Sequence, residues 1–135
     1  MRAVLDPNIL GAALLAPGGA PAELVSRWRA GEFELVVSET LLAELERVLA
    51  YSKLRKRVPE TDARAFVALL RGGARLAFDP TAAARRSADP ADDYLVALAE
   101  QERALLVSGD QHLLALADEL PIHTARAFLE AVRDA

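Results

Sequence analysis

The chain has 135 residues, of which 53% are hydrophobic and none is cysteine, and its formal net charge is −4. This length suits one domain, expected over residues 1–135, and the lack of cysteine excludes disulfides and thiolate metal sites. No leader-like or membrane-length apolar run is present, so we expect a cytoplasmic protein without a membrane partner, whose acidic charge disfavours passive binding to phosphate backbones.

Short apolar runs alternate with helical patterns along the chain, as in successive βαβ units. The runs predict strands at Ala3–Leu5, Glu34–Val37, Arg75–Phe78 and Ala104–Val107, with a fifth candidate at Ile122–Thr124. The 3.6-residue patterns predict helices at about Asn8–Leu15, Ala22–Ala30, Glu39–Leu49, Thr61–Gly73, Pro90–Glu100, Gln111–Asp118 and Ala125–Val132. This alternation predicts a three-layer α/β/α sandwich around a parallel sheet of four to five strands.

Two of the predicted strands end on a carboxylate. Asp6 directly follows the first strand, and Asp110 follows the fourth after a small polar turn. Parallel strands present their carboxyl ends to one edge of the sheet, so both acids are expected there. Each is also suited to cap the helix that follows it, and this structural role is compatible with a functional one.

Two helices supply further acids. In Asp89-Pro-Ala-Asp-Asp-Tyr, Asp89 and Asp92 suit capping positions, which leaves Asp93 at the head of an apolar and therefore buried helix. On the long helix, Glu44 and Glu46 lie on opposite flanks of the apolar stripe, and periodicity alone does not choose between them.

Clustered carboxylates repel one another, and a hard divalent cation offsets that cost. Mg²⁺ or Mn²⁺ takes oxygen ligands, and such ions activate water for attack on a phosphodiester. The histidines His112 and His123 show no metal-ligand spacing and are interpreted as surface or packing residues. No P-loop or dinucleotide fingerprint is present, which leaves metal-assisted hydrolysis as the chemistry that these residues favour.

Four segments in this order resemble a PIN domain of the kind found as the ribonuclease toxin in bacterial toxin–antitoxin pairs. They are Val4-Leu-Asp-Pro-Asn8, Val37-Ser-Glu-Thr-Leu-Leu-Ala-Glu-Leu45, Asp92-Asp-Tyr-Leu-Val-Ala-Leu-Ala99 and Leu106-Val-Ser-Gly-Asp110. The resemblance places the catalytic, metal-binding acids at Asp6, Glu44, Asp93 and Asp110, with Asp92 as a further candidate ligand one residue away. It places Asn8 and Ser108 among the residues that line the site.

The resemblance also implies a function. It implies that the protein cleaves single-stranded RNA with Mg²⁺ or Mn²⁺ as the cofactor. It also implies that the protein forms a homodimer and has a cognate antitoxin as its partner. The chain departs from the family at two positions: Pro7 replaces the usual Thr, and His112 stands where many members carry another acid. The first change removes a hydroxyl from the site, and the second is expected to weaken the binding of a second metal.

A basic cluster, formed by Lys53, Arg55, Lys56 and Arg57, follows the long helix. Cations at this position suit a solvated helix end near the negative pole of the helix dipole, and an RNA-binding patch is the alternative. Two other functions remain open. A PIN-like module could bind RNA or a partner without cutting, and a receiver-type signalling domain could use Asp79, although no Lys follows the last strand.

Overall fold

A computed structural model describes residues 1–81 and 90–135, so the predicted cap Asp89 lies outside the described part of the chain. The described residues form one parallel sheet in the order β3-β2-β1-β4-β5. Its strands are β1 (Arg2–Leu5), β2 (Glu34–Val37), β3 (Arg75–Leu76), β4 (Leu105–Val107) and β5 (Ile122–His123).

The helices connect these strands and follow the last one. They are α1 (Pro7–Leu15), α2 (Ala20–Arg29), α3 (Glu39–Ala50), α4 (Ser52–Arg55), α5 (Glu60–Gly73), α6 (Pro90–Gln101), α7 (Gln111–Leu114) and α8 (Ala125–Asp134). In the described ranges, no single helix has both the length and the apolar character needed to cross a membrane. The pair α1 and α2 passes that test only together, and it is bent by 99°.

The strand order places helices on both faces of the sheet. From β1 the chain moves one way to β2 and β3, and it then returns past β1 to β4 and β5. Since parallel crossovers are right-handed, α1 to α5 cover one face and α6 and α7 the other. The predicted three-layer α/β/α sandwich with a parallel sheet is therefore confirmed.

The central strand β1 pairs with β2 on one side and β4 on the other. Its residues Ala3, Val4 and Leu5 are at most 1% exposed, as expected for a parallel strand covered by helices on both faces. Asp6 directly follows this strand, and its backbone N–H still donates to the carbonyl of Val107, 2.9 Å away. The first carboxylate is therefore fixed at the middle of the sheet edge.

The structure corrects several predicted boundaries. Strand β3 ends at Leu76, because it is a short edge strand, and Phe78 beyond it is 93% exposed. Helix α7 ends at Leu114, four residues earlier than predicted. The four-residue helix α4 was not predicted, because one helical turn is too short to produce a periodic apolar pattern.

Candidate metal centre

Asp6 forms the floor of the site. Its side chain is 4% exposed and caps α1, since Oδ1 accepts the backbone N–H of Asn8 at 2.9 Å. Its Oδ2 accepts the hydroxyl of Ser108, at 2.8 Å and across 102 residues of sequence. Both carboxylate oxygens are thus held in place by the turns that follow β1 and β4.

Ser108 connects the first acid to the fourth. It is fully buried, and its Oγ accepts the backbone N–H of Asp110 at 3.0 Å while donating to Asp6. Asp110 in turn caps α7 by accepting the N–H of His112 at 2.7 Å. The structure therefore brings Asp6, Ser108 and Asp110 together at the carboxyl ends of two adjacent strands, as their positions in the sequence predict.

Burial raises the pKa of Asp6 above its ordinary value. The negative charges on Asp110 and Glu44 raise it further, whereas the hydrogen bonds from Asn8 and Ser108 lower it. A carboxyl group whose ionisation is opposed by burial and by neighbouring acids is typical of a site that holds a cation.

Glu44 lies on α3, and its negative charge contributes to the raised pKa of Asp6. Its side chain is 34% exposed and forms an ion pair with Arg47, one turn further along the helix. Glu46 instead lines a surface groove between α3 and α5. Of the two glutamates that periodicity left open, Glu44 is the one whose charge acts on Asp6.

The first turn of α6 buries two consecutive acids. Asp92 is 8% exposed and Asp93 is 3% exposed. Asp92, Asp110 and His112 form a group in which one possible ligand atom from each residue lies within 4.8 Å of the others. Asp93, the acid that the resemblance favours, does not belong to that group, so the structure leaves both acids in the description of the site.

Asp79 and Tyr94 also lie near the acids, and neither is a predicted residue of this site. Asp79 Oδ2 accepts the backbone N–H of Thr40 at 3.2 Å, at the start of α3. Burial raises the pKa of Tyr94, as do the charges on Asp79, Glu44 and Asp6, so its hydroxyl stays protonated near the acids. Asp79 follows β3 as Asp6 follows β1, and that rule could have found it.

The remaining predicted residues lie on the surface. The Asn8 side chain is exposed at the start of α1, next to Pro7, which occupies the first helical position. In the basic cluster, Arg55 forms a 3.4 Å ion pair with Glu60. The other three members, Lys53, Lys56 and Arg57, line a shallow depression beside the end of α1.

The donor set fits a divalent cation. Carboxylates from β1, α3, α6 and the β4–α7 turn offer the oxygen ligands that Mg²⁺ and Mn²⁺ prefer. A bound cation would also offset the burial and the repulsion that together raise the pKa of Asp6. The arrangement can therefore hold a metal ion and position water beside a phosphodiester.

Comparisons with known proteins agree with this geometry. A family model described as PIN domain matches residues 2–112. The crystal structure of PAE2754 from Pyrobaculum aerophilum is similar, with a TM-score of 0.67 and 15% identity over 100% of this chain and 91% of that one. A domain of a functionally unknown protein from Methanocaldococcus jannaschii DSM 2661 is also similar, with a TM-score of 0.56 and 13% identity over 91% and 89% of the two chains. No curated protein matches the sequence. At these identities the two structures show a shared fold alone.

Proposed function

Because the chain belongs to the PIN-domain family, whose members are generally nucleases, we propose that it is a metal-dependent endoribonuclease acting on single-stranded RNA. The observation that carries this proposal is the placement of Asp6 and Asp110 at the carboxyl ends of β1 and β4, where Ser108 joins them and the charge on Glu44 acts on Asp6. The receiver-type alternative has no support, since that fold places its third strand inside the sheet, whereas β3 is at the edge here.

In this proposal the role of each acid follows from its position in the fold. Bound Mg²⁺ or Mn²⁺ supplies an activated water and stabilises negative charge on the phosphate. Asp6 and Asp110 would hold the cation from the sheet edge, and Ser108 orients the Asp6 carboxylate and the Asp110 backbone through its two hydrogen bonds. Glu44 would add a ligand from α3 in place of its ion pair with Arg47, and Asp93 would add one from α6.

We further propose a homodimeric toxin that is silenced by a cognate antitoxin in the cytoplasm, and this part rests on the resemblance of the four motifs. A non-cutting module that binds RNA is the second candidate. The ion pair between Glu44 and Arg47 favours it, because a salt-bridged glutamate is less available to a cation.

The first test is cleavage of an end-labelled single-stranded RNA with Mn²⁺, with Mg²⁺ and with excess chelator. We expect cleavage with either ion and none in chelator, and at least a roughly 100-fold loss of rate in Asp6→Asn and in Asp93→Asn. Asp118→Asn is the matched control, since Asp118 is exposed outside the site.

Two outcomes would contradict the proposal. Undiminished cleavage in chelator would exclude the metal mechanism, and RNA binding without any cleavage would favour the non-cutting module. The register on α6 is tested in the same assay: if Asp92→Asn abolishes cleavage in both ions and Asp93→Asn does not, the family's acid is Asp92.

A further inference from the structure

His112 is exposed, as its sequence context indicates, and it lies beside two acids of the candidate metal centre. Its Nδ1 lies 3.4 Å from Oδ1 of Asp110. Together with Asp92 from α6, these two residues form the group whose possible ligand atoms lie within 4.8 Å of one another. We propose that His112 is a metal ligand and that it shifts the preference of this site from Mg²⁺ towards transition-metal cations such as Mn²⁺. This inference rests on the proposed function only because it assigns the cation to the same group of acids.

The distances within the group suit coordination. Ligands about 2.1 Å from an octahedral cation lie about 3.0 Å apart when adjacent and about 4.2 Å apart when opposite. Adjacent ligands of a tetrahedral ion at about 2.0 Å lie about 3.3 Å apart. The observed 3.4 Å between Asp110 Oδ1 and His112 Nδ1 is therefore close to both geometries. The possible ligand atoms of the whole group are at most 4.8 Å apart.

The group is anchored to the rest of the site. Asp110 is fixed between Ser108, which receives its backbone N–H, and His112, which donates a backbone N–H to its carboxylate. Ser108 also donates to Asp6, so one serine joins the histidine-containing group to the buried floor. A cation held by His112, Asp110 and Asp92 would thus lie at the same edge of the sheet as Asp6.

The metal preference follows from the type of donor. Mg²⁺ selects oxygen ligands and binds neutral nitrogen poorly, whereas imidazole suits transition metals. An acid at this position would add a negative charge that both ions can use. A neutral imidazole adds a nitrogen donor that favours the transition metal, so His112 is expected to discriminate between them.

The direct test is calorimetric titration of metal-free protein with Mn²⁺ and with Mg²⁺, in the parent and in His112→Ala. We expect the substitution to weaken Mn²⁺ binding by about tenfold or more and to change Mg²⁺ binding by less than about threefold. His112→Asp is expected to strengthen Mg²⁺ binding relative to His112→Ala, because it restores an oxygen ligand. His123→Gln is the matched control and should change neither affinity.

Nuclear magnetic resonance of the imidazole nitrogens gives an independent readout in the unmutated protein. The sequence has only two histidines, and Zn²⁺ is a diamagnetic cation that binds imidazole. We expect one equivalent of Zn²⁺ to shift a ring nitrogen of His112 to the value of a ligated imidazole and to leave His123 unchanged.

The inference is overturned if the ring nitrogens of His112 do not respond to Zn²⁺, or if His112→Ala weakens Mn²⁺ and Mg²⁺ binding equally. Neither result touches the proposed function, which is decided by RNA cleavage. Conversely, a protein that binds Mn²⁺ through His112 but leaves RNA intact would reject the ribonuclease proposal and support this inference.

Discussion

Asp6 combines a structural role with a destabilising charge. It caps α1 and accepts the hydroxyl of Ser108, yet burial and the charges of Asp110 and Glu44 oppose its ionisation. A raised pKa means that the native state binds the proton of Asp6 more tightly than the unfolded chain does. The stabilising contribution of that proton is complete at low pH and is lost as the pH rises through the folded-state pKa.

We therefore predict that Asp6→Asn stabilises the metal-free protein at neutral pH. Its amide oxygen can still accept the N–H of Asn8, and the charge is gone. Thermal unfolding in chelator from pH 4 to pH 8 should show an advantage over the parent that grows as the pH rises and then levels off. Added Mn²⁺ should raise the melting temperature of the parent more than that of the variant.

The stability measurement needs a control variant that loses a carboxylate outside the site. Asp118→Asn also removes one carboxylate, but from an exposed position outside the site, so its stability relative to the parent is the reference for Asp6→Asn. A variant Asp6→Asn that is less stable than the parent at every pH would contradict this prediction. It would mean that the hydrogen bonds of the Asp6 carboxylate stabilise the parent by more than its burial and repulsion destabilise it.

At the scale of elements, the sequence predicted what depends on local pattern. Ser38 caps α3 by accepting the N–H of Leu41 at 3.2 Å, and Asp6 and Asp110 follow adjacent parallel strands, as expected. The proximity of Asp92 to His112 depends on how α6 packs across the sheet. That packing leaves no periodic pattern in the sequence from which it could be predicted. Asp79 was considered only for the receiver-type alternative, because none of the four motifs that resemble the family includes it.

Helices α1 and α3 approach closely at Gly11, where an added Cβ would lie 3.1 Å from Cγ1 of Val48. We predict that Gly11→Val destabilises the protein by about 1–3 kcal/mol, because the branched side chain must separate the two helices. The same separation should reduce metal affinity, since Asp6 begins α1 and Glu44 is on α3. Chemical unfolding and calorimetric titration with Mn²⁺ measure the two effects.

Gly72 on α5 provides the matched control, since no atom of the described residues would contact a Cβ added there within 4 Å. Gly72→Ala should stabilise the protein by up to about 1 kcal/mol, because alanine loses less backbone entropy in a helix. A Gly11→Val protein as stable as the parent would show that α1 and α3 can separate without cost.

Across the whole molecule, charge is divided between the two ends of the sheet. The carboxyl end collects the acids of the metal centre, whereas ion pairs link Arg2, Glu34, Arg75 and Glu102 at the amino end. A hydrogen bond from Arg75 lowers the pKa of Glu102 below its ordinary value. Under the proposed function, RNA would therefore have to be attracted to this acidic end by cations, either a bound metal or a basic surface.

The basic cluster follows α3, whose last residue, Ala50, lies six residues and about 9 Å of helix beyond Glu44. We predict that replacing Lys53, Arg55, Lys56 and Arg57 with Gln weakens the binding of long single-stranded RNA. The slope of log binding constant against log salt concentration should fall by about 0.7 per lost phosphate contact. Binding of a trinucleotide should be weakened less, because it offers only a few phosphates for the cluster to contact.

Fluorescence anisotropy with the two RNA lengths at several salt concentrations measures this effect. An unchanged salt slope for the long RNA would show that the cluster is only a solvated helix end, which is the interpretation that the sequence favoured.

The hydrogen bond between Asp6 and Ser108 also joins two residues that the ribosome makes at different times. Its two partners are separated by 102 residues, and at about 5–20 residues per second their synthesis is separated by roughly 5–20 s. During that interval β1 and β2 can pair, but the edge of β1 that β4 will occupy stays open and Asp6 has no Ser108 to hold it. The candidate metal centre is thus completed only after Ser108 and Asp110 have been made.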